Sequence, residues 1–147
     1  MIRESLPVEI NASPTTVWQH LTTPNAWQSW HRDIEYAERL TAGIWTPGYL
    51  IKMKTPNERA TYVYTISQVD MGRSAAWSGS KMGLTRAMSV ELKPREGGTV
   101  VTLMQTADGP RTFGPLGWLV RRGIRRNLRA WADGLRRAAA SGPAPGA

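Results

Sequence analysis

The sequence contains no cysteine and only two histidines. The absence of cysteine excludes disulfides, thiolate catalysis, and zinc or iron–sulfur centres with cysteine ligands. Two histidines without cysteine offer little to a zinc ion, so we expect no bound metal. The chain must therefore fold on its apolar core, without a covalent or metal crosslink.

Other patterns that would define an enzyme class are also missing. The 11 acidic residues are scattered along the chain and suggest no paired-carboxylate hydrolase. The sequence has neither a glycine-rich phosphate loop nor a nucleophile elbow, so we expect no nucleotide cofactor and no serine hydrolase chemistry. No apolar run approaches the roughly 18 residues of a membrane span, and Met1–Ile10 lacks an apolar signal region, so a cytoplasmic location is expected.

Tryptophan is the abundant aromatic residue. The chain has seven tryptophans and one phenylalanine among 147 residues, a length typical of one domain. Hydrophobic residues make up 41%, which is ordinary for a globular protein. Because tryptophan is costly to expose and often lines pockets, its excess indicates a cavity.

Positive charge is concentrated near the C-terminus. The formal net charge is +8, and seven arginines lie in one segment opposed only by Asp133, namely Arg121, Arg122, Arg125, Arg126, Arg129, Arg136 and Arg137. The simplest interpretation is a solvated helix face. The alternative is an anionic surface, either a membrane, a nucleic acid or an acidic carrier protein docking on Arg121, Arg125 and Arg129. We expect no specific nucleic-acid binding.

The first third of the chain predicts a strand followed by two short helices. Apolar residues alternate over Arg3–Ile10, and Pro7 indicates an edge strand or the start of a strand. Ser13 and Pro14 are good N-cap and first-turn residues, and a second short helix is predicted over Pro24–Trp30.

The middle of the chain predicts an antiparallel meander. Strand-like runs alternate with glycine- and proline-containing turns, and no βαβ rhythm indicates a parallel sheet. The predicted strands are Asp33–Leu40, Tyr49–Lys54, Ala60–Val69, Arg73–Ser78, Thr85–Lys93 and Thr99–Thr106.

The last element is predicted to be a long amphipathic helix that begins near Gly114-Pro115. Its apolar stripe runs through Leu116, Val120, Ile124, Leu128, Trp131 and Leu135. We expect one domain over residues 1–140 and a disordered tail over residues 141–147. A long helix cannot close everywhere against a strongly curved sheet, so a cavity between them is predicted.

This order of elements resembles the START-like (SRPBCC, helix-grip) superfamily, and within it the bacterial polyketide cyclase/dehydrase-type group. The matching residues are Ile10–Pro14 with Val17-Trp18, then Pro24 with Trp27 and Trp30, then Trp77 and the C-terminal helix. The resemblance implies an α+β helix-grip fold, with a curved antiparallel sheet of about seven strands around the helix. It also implies a ligand cavity, but no particular reaction.

Period-two phasing then predicts the side chains that face this cavity. On the longest strand the Tyr62, Tyr64 and Ile66 face is favoured over the Val63, Thr65 and Val69 face, because it matches the inward positions of the family pattern. The predicted ligand-binding residues are Trp27, Trp30, Ile51, Met53, Tyr62, Tyr64, Trp77, Met88, Val90, Leu103, Gln105, Val120 and Ile124.

Three side chains are candidates for chemistry in such a cavity. His31 can exchange a proton near neutral pH, Arg86 can hold a carboxylate, phosphate or enolate, and Tyr64 or Tyr62 can donate to a carbonyl. The alternatives are a surface or capping role for His31 and a solvent-facing strand position for Arg86.

The sequence therefore supports two leading hypotheses. The first is a non-catalytic carrier of a small hydrophobic molecule that is polyketide-like, aromatic or lipid-like. The second is a cyclase or dehydratase that uses His31, Arg86 and Tyr64 as acid–base residues. Convergence of those three groups on one point would favour the enzyme, and purely apolar walls would favour the carrier.

Overall fold

The computed structural model describes residues 1–55 and 61–143. Its order is strand, short helices, six strands and a long helix, as the sequence predicts. The strands are β1 (Ile2–Ile10), β2 (Tyr36–Arg39), β3 (Leu50–Lys54), β4 (Tyr62–Asp70), β5 (Ser74–Lys81), β6 (Leu84–Arg95) and β7 (Gly98–Asp108). The helices are α1 (Pro14–Leu21), α2 (Trp27–Trp30) and α3 (Gly117–Ala140), and 3₁₀ turns cover Pro24–Ala26, Pro110–Thr112 and Gly114–Leu116.

The seven strands form one antiparallel sheet in the order β1-β7-β6-β5-β4-β3-β2. Tight turns join β4 to β5, β5 to β6 and β6 to β7, so these strands are neighbours both in sequence and in space. The last strand, β7, lies beside β1, which places Pro7 on an edge strand opposite Thr102. An edge position suits proline because this residue has no N–H to donate to a second neighbour.

The helical segment after β1 begins at the predicted cap. The Ser13 hydroxyl accepts the backbone N–H of Thr16 at 3.2 Å, and Pro14 occupies the first helical position. The following strand starts later than predicted, at Tyr36 instead of Asp33. A turn occupies the intervening residues, because the N–H of Asp33 donates to His31 Nδ1 at 3.1 Å and the N–H of Ile34 donates to the His31 carbonyl.

The predicted inward face of the longest strand is confirmed. Tyr62, Tyr64 and Ile66 are buried, whereas Val63 and Thr65 are exposed. Ala60, the predicted first residue of this strand, lies outside the described residues. The residues predicted to face inward on the other strands also face the core, with Ile51 and Met53 buried on β3, and Met88, Val90, Leu103 and Gln105 buried on β6 and β7.

The long helix packs across the concave side of the sheet over its later turns. Its stripe is buried from Ile124 through Leu128 and Trp131 to Leu135. The stripe is not buried at its start, where Leu116 is 54% exposed in a 3₁₀ turn that precedes α3. The first turns of α3 thus stand away from the sheet and leave space beneath them.

The end of α3 is capped and anchored. The Ser141 hydroxyl donates to the Ala138 carbonyl, and His20 Nε2 donates to the Gly142 carbonyl at 2.6 Å. Of the predicted tail, residues 144–147 lie outside the described residues. No helix in the described part of the chain is both long and apolar enough to cross a membrane.

Candidate functional site

A cavity of about 460 Å³ opens where α3 stands away from the sheet, and we call it the grip cavity. Its floor comes from β3 to β7 and its roof from the first half of α3. The lining residues are Asp33, Met53, Thr55, Tyr64, Trp77, Leu84, Arg86, Ala87, Met88, Gln105, Ala107, Leu119, Val120, Gly123, Ile124, Arg126, Asn127 and Trp131. Its volume falls in the range of about 300–1,000 Å³ that is usual for small-molecule sites.

An amide pair joins the floor to the roof of this cavity. Asn127 on α3 donates from Nδ2 to Oε1 of Gln105 on β7, at 2.7 Å. Gln105 is 7% exposed, so the bond satisfies a buried polar group that would otherwise be costly. The pair also leaves further amide donor and acceptor capacity at the cavity wall, because each amide can form more than one hydrogen bond.

Arg86 supplies a positive charge to the cavity wall. Its guanidinium lies over the Tyr62 ring, 4.9 Å from the centroid, and Tyr62 stacks on Tyr64 with centroids 5.7 Å apart. Cation–π contact of this kind holds the guanidinium in place. Tyr62 itself does not line the cavity, so its contribution is to position Arg86 from one side.

Six tryptophans form one connected cluster behind the cavity. Trp27 stacks on Trp77 at 5.8 Å and meets Trp131 edge to face at 4.9 Å. Trp45 contacts Trp18, Trp27 and Trp77, and Trp30 contacts Trp131. Only Trp77 and Trp131 of this cluster line the grip cavity. The other rings fill the interior that a single long cavity would occupy.

His31 lies behind this wall and not in the grip cavity. It is 1% exposed, and its ring meets Trp131 edge to face at 4.8 Å. Burial lowers the pKa of His31 to about 4, because the charged ring would lose its hydration, while the Asp33 carboxylate and the Asn127 side chain act in the opposite direction. The ring is therefore neutral near pH 7, and since Nδ1 accepts from Asp33, its proton is on Nε2.

The structure brings together eight of the residues predicted from the sequence. Tyr64, Arg86, Met53, Trp77, Met88, Gln105, Val120 and Ile124 all line the grip cavity. Trp27, Trp30, Ile51, Tyr62, Val90 and Leu103 are buried in the core and do not line it. Whether any of these residues binds or transforms a ligand remains a prediction.

Sequence reasoning missed several lining residues, among them Asp33, Asn127 and Trp131. Gly123 lies three residues after Val120, Asn127 lies three after Ile124, and Trp131 lies four after Asn127, so the helical period already placed them on or beside the cavity face. The carboxylate of Asp33 is held by Arg126, with Nε–Oδ2 and Nη2–Oδ1 distances of 3.2 and 3.3 Å. No local pattern around Asp33 predicted this contact, because its partner is 93 residues away in sequence.

Most of the arginines on α3 bind groups of the chain itself. Arg121 and Arg125 both donate to the Glu4 carboxylate, which lowers its pKa, mainly through the hydrogen bond from Arg121. Arg136 and Arg137 donate to the backbone carbonyls of Glu9 and Trp30. Within residues 1–55 and 61–143, Arg122 and Arg129 make no ion pair. Across the same residues, no group of three or more His, Asp or Glu side chains is arranged to hold a metal ion.

The fold and the cavity together define a helix-grip protein of the START-like class. A START superfamily protein from Mycobacterium smegmatis superposes with a TM-score of 0.79 at 12% identity, over 95% of this chain and 97% of that chain. A Thermus thermophilus protein gives a TM-score of 0.81 at 14% identity, over 97% and 100%. A Mesorhizobium loti protein gives 0.75 at 13%, also over 97% and 100%. At such identities the likeness concerns the fold.

The family itself follows from the sequence model that matches. The model described as "Polyketide cyclase / dehydrase and lipid transport" matches residues 1–140. The chain therefore belongs to this family, as the resemblance in its sequence predicts. No curated protein matches it significantly. Family and fold are consistent with binding of a hydrophobic ligand.

Proposed function

We propose that this protein binds a small molecule with a largely apolar body and one oxygen-bearing end in the grip cavity. The observation that carries the proposal is the composition of the cavity wall. Met53, Met88, Ile124 and Trp77 offer adaptable and flat apolar surfaces. Arg86 adds a charged donor to the same wall, which suits a carboxylate or a polarised carbonyl.

The placement of His31 favours a carrier over an enzyme. A general base must reach the proton that it removes, directly or through one water. His31 does not line the grip cavity and its ring packs on Trp131, whereas Arg86 and Tyr64 line the cavity. These two residues can hold and polarise an oxygen atom, but they form no acid–base pair with His31.

One observation supports the alternative function, a cyclase or dehydratase. Arg86 and Tyr64 lie on one wall, where they can stabilise a developing enolate oxygen. The two interpretations differ in what happens to the ligand. Native mass spectrometry of the purified protein, with identification of the extracted molecule before and after incubation, distinguishes release unchanged from conversion with a change in mass.

Gly123 offers a direct test of the site. A Cβ atom at this position meets nothing within 4 Å, and the residue lines the cavity. We expect Gly123→Phe to weaken binding of the apolar fluorophore 1-aminoanthracene by about 10-fold or more, equivalent to at least ~1.4 kcal/mol. Gly123→Ala is the matched control, because it alters the same position without filling the cavity. Equal affinity in both variants would place the fluorophore elsewhere and contradict the proposal.

The acidic carrier protein remains a separate proposal for the α3 surface. Arg129 is exposed and makes no ion pair within the described residues, whereas Arg121 and Arg125 are already bound to Glu4. This distribution supports Arg129, together with Arg122, as the part of the surface that is available to an acidic partner. Such docking would weaken steeply with salt, because exposed charges are screened within about 10 Å at 0.1 M ionic strength.

A further inference from the structure

A second cavity of about 530 Å³ lies at the other end of the sheet interior. It is bounded by α1, by the connection from β2 to β3 and by the end of β4. Tyr49, just before β3, lines this second cavity, whereas Thr55, just after β3, lines the grip cavity. The two cavities have no lining residue in common and are separated by the tryptophan cluster.

The inner wall of the second cavity is built from flat aromatic rings. Trp45 meets Trp18 at 6.4 Å with an interplanar angle of 66°, and it meets Tyr49 at 6.2 Å with an angle of 45°. Trp45 and Tyr49 are 4% and 2% exposed, so the tertiary structure fixes both rings before any ligand arrives. Pre-arranged aromatic surfaces of this kind favour a planar, conjugated ligand.

Two polar atoms on residues of this wall have no partner. The indole Nε1 of Trp45 and the Oε1 of Gln19 are both buried, and neither has a hydrogen-bond partner within the described residues. Both residues line the second cavity. A buried donor or acceptor without a partner costs free energy, and native proteins rarely leave one unsatisfied. Neither atom is open to the cavity space as placed, so a polar guest would bond to either only after that side chain turns toward the cavity.

A positive charge completes the site. Arg39 lines the second cavity, and its guanidinium lies beside the hydroxyl of Tyr49. The N–H of Arg39 donates to Asn25 Oδ1 at 2.8 Å, which ties the end of β2 to the opposite wall. Arg39 makes no ion pair with any residue in the described part of the chain. Its guanidinium can therefore pair with an anionic ligand, and a carboxylate fits its planar donors best.

We propose that the second cavity binds a small hydroxylated aromatic carboxylate. The ring lies against Trp18 and Trp45, and the carboxylate meets Arg39. The ring hydroxyl donates to Gln19 once the side-chain amide of Gln19 has turned toward the cavity. The site is independent of the grip cavity, so it does not rest on the function proposed above.

The test is an NMR titration of the full chain with 6-hydroxy-2-naphthoate, which carries both functional groups on a flat ring. The Trp45 Nε1–H signal, identified by its loss in Trp45→Phe, should shift and saturate. Arg39→Gln should weaken the affinity for the naphthoate by about 10-fold. Because Arg39 is exposed, this substitution should leave the fold intact. The same variant should bind the neutral amide 6-hydroxy-2-naphthamide with an affinity reduced by less than about 2-fold, because the amide forms no ion pair with Arg39.

The grip cavity provides the control. Gly123→Phe should leave the naphthoate titration unchanged, because Gly123 does not line the second cavity. A shift that disappears in Gly123→Phe would assign the binding to the grip cavity and overturn the proposal. A Trp45 signal that does not move, or an affinity that Arg39→Gln leaves unaltered, would also overturn it and leave water as the guest of the second cavity.

Discussion

Trp45 and Trp77 meet edge to face with ring centroids 5.5 Å apart, and this contact lies between the grip cavity and the second cavity. Trp45 lines one cavity and Trp77 lines the other. The interior of the helix grip is thus divided by packed indole rings and does not form one continuous chamber.

Removal of the Trp77 indole should destabilise the folded protein. We expect Trp77→Ala to lower the free energy of unfolding by about 3–5 kcal/mol, because Trp77 is 2% exposed and its removal leaves a cavity among the neighbouring aromatic rings and the sheet. Urea unfolding followed by far-ultraviolet circular dichroism measures the change. Trp118→Ala is the matched control, since Trp118 is 59% exposed and should change stability by less than about 0.5 kcal/mol. Similar losses in the two variants would contradict the division of the core.

Gly123 and Gly134, the two interior glycines of α3, should respond to alanine in opposite directions. Gly123→Ala should stabilise the protein by up to about 1 kcal/mol, because the helix interior favours alanine and the new methyl group meets nothing within 4 Å. Gly134→Ala should destabilise it by about 1–3 kcal/mol, because a Cβ there would lie 2.2 Å from the Trp30 carbonyl oxygen. Chemical denaturation of both variants under one set of conditions makes the comparison, and a gain in stability in Gly134→Ala would refute the packing of α2 on α3.

The protein should lose stability in mild acid through His31. Its pKa is about 4 in the folded state against 6.5 for an unperturbed histidine, so the unfolded state binds more protons between these values. The contribution is fully present above pH ~6.5 and is lost as the pH falls to about 4, and it amounts to about 3 kcal/mol in all. Unfolding free energies measured across this window should fall more steeply for the native sequence than for His31→Gln. Parallel curves for the two proteins would mean that the folded state does not hold His31 neutral.

The carboxylate of Glu4 should contribute more to the stability of the fold than its position on an edge strand suggests. Its side chain is 18% exposed and accepts hydrogen bonds from both Arg121 and Arg125. Glu4→Gln should therefore destabilise the protein by about 1–3 kcal/mol, the usual range for hydrogen bonds to charged groups. Glu91→Gln is a suitable control, because Glu91 pairs only with exposed Lys93 within the described residues and surface pairs contribute about 0–1 kcal/mol. Thermal unfolding of the two variants distinguishes a structural ion cluster from a solvated helix face.

The local patterns of the sequence predicted most of the architecture. Alternation along β4 predicted that Tyr62, Tyr64 and Ile66 face inward, and the Ser13-Pro14 pair predicted where α1 begins. Both signals are short-range, because side-chain direction follows the strand period and a cap satisfies N–H groups within three residues. The predicted start of β2 was wrong, since a histidine side chain holds the backbone of Asp33 in a turn that no periodicity reveals.

The candidate site was predicted only in part, for a related reason. The stripe from Val120 to Leu135 indicated which side of α3 faces the sheet, but not that its first turns would stand clear of it. The positions of the tryptophans were likewise undetermined by the sequence. Nothing local distinguishes Trp77, which lines the grip cavity, from Trp27, which fills the core behind it.

The sequence by itself thus determined the strand and helix pattern, the inward faces and the membership of the helix-grip class. Only the tertiary structure decided that the interior is split into two cavities and that five of the seven α3 arginines bind acceptors of the chain itself, Arg126 through Asp33 among them. Periodicity records the direction in which each side chain points, because it depends on neighbours in the chain. The space that remains between elements depends on the meeting of side chains far apart in sequence, such as Trp45 with Trp77 and Arg121 with Glu4.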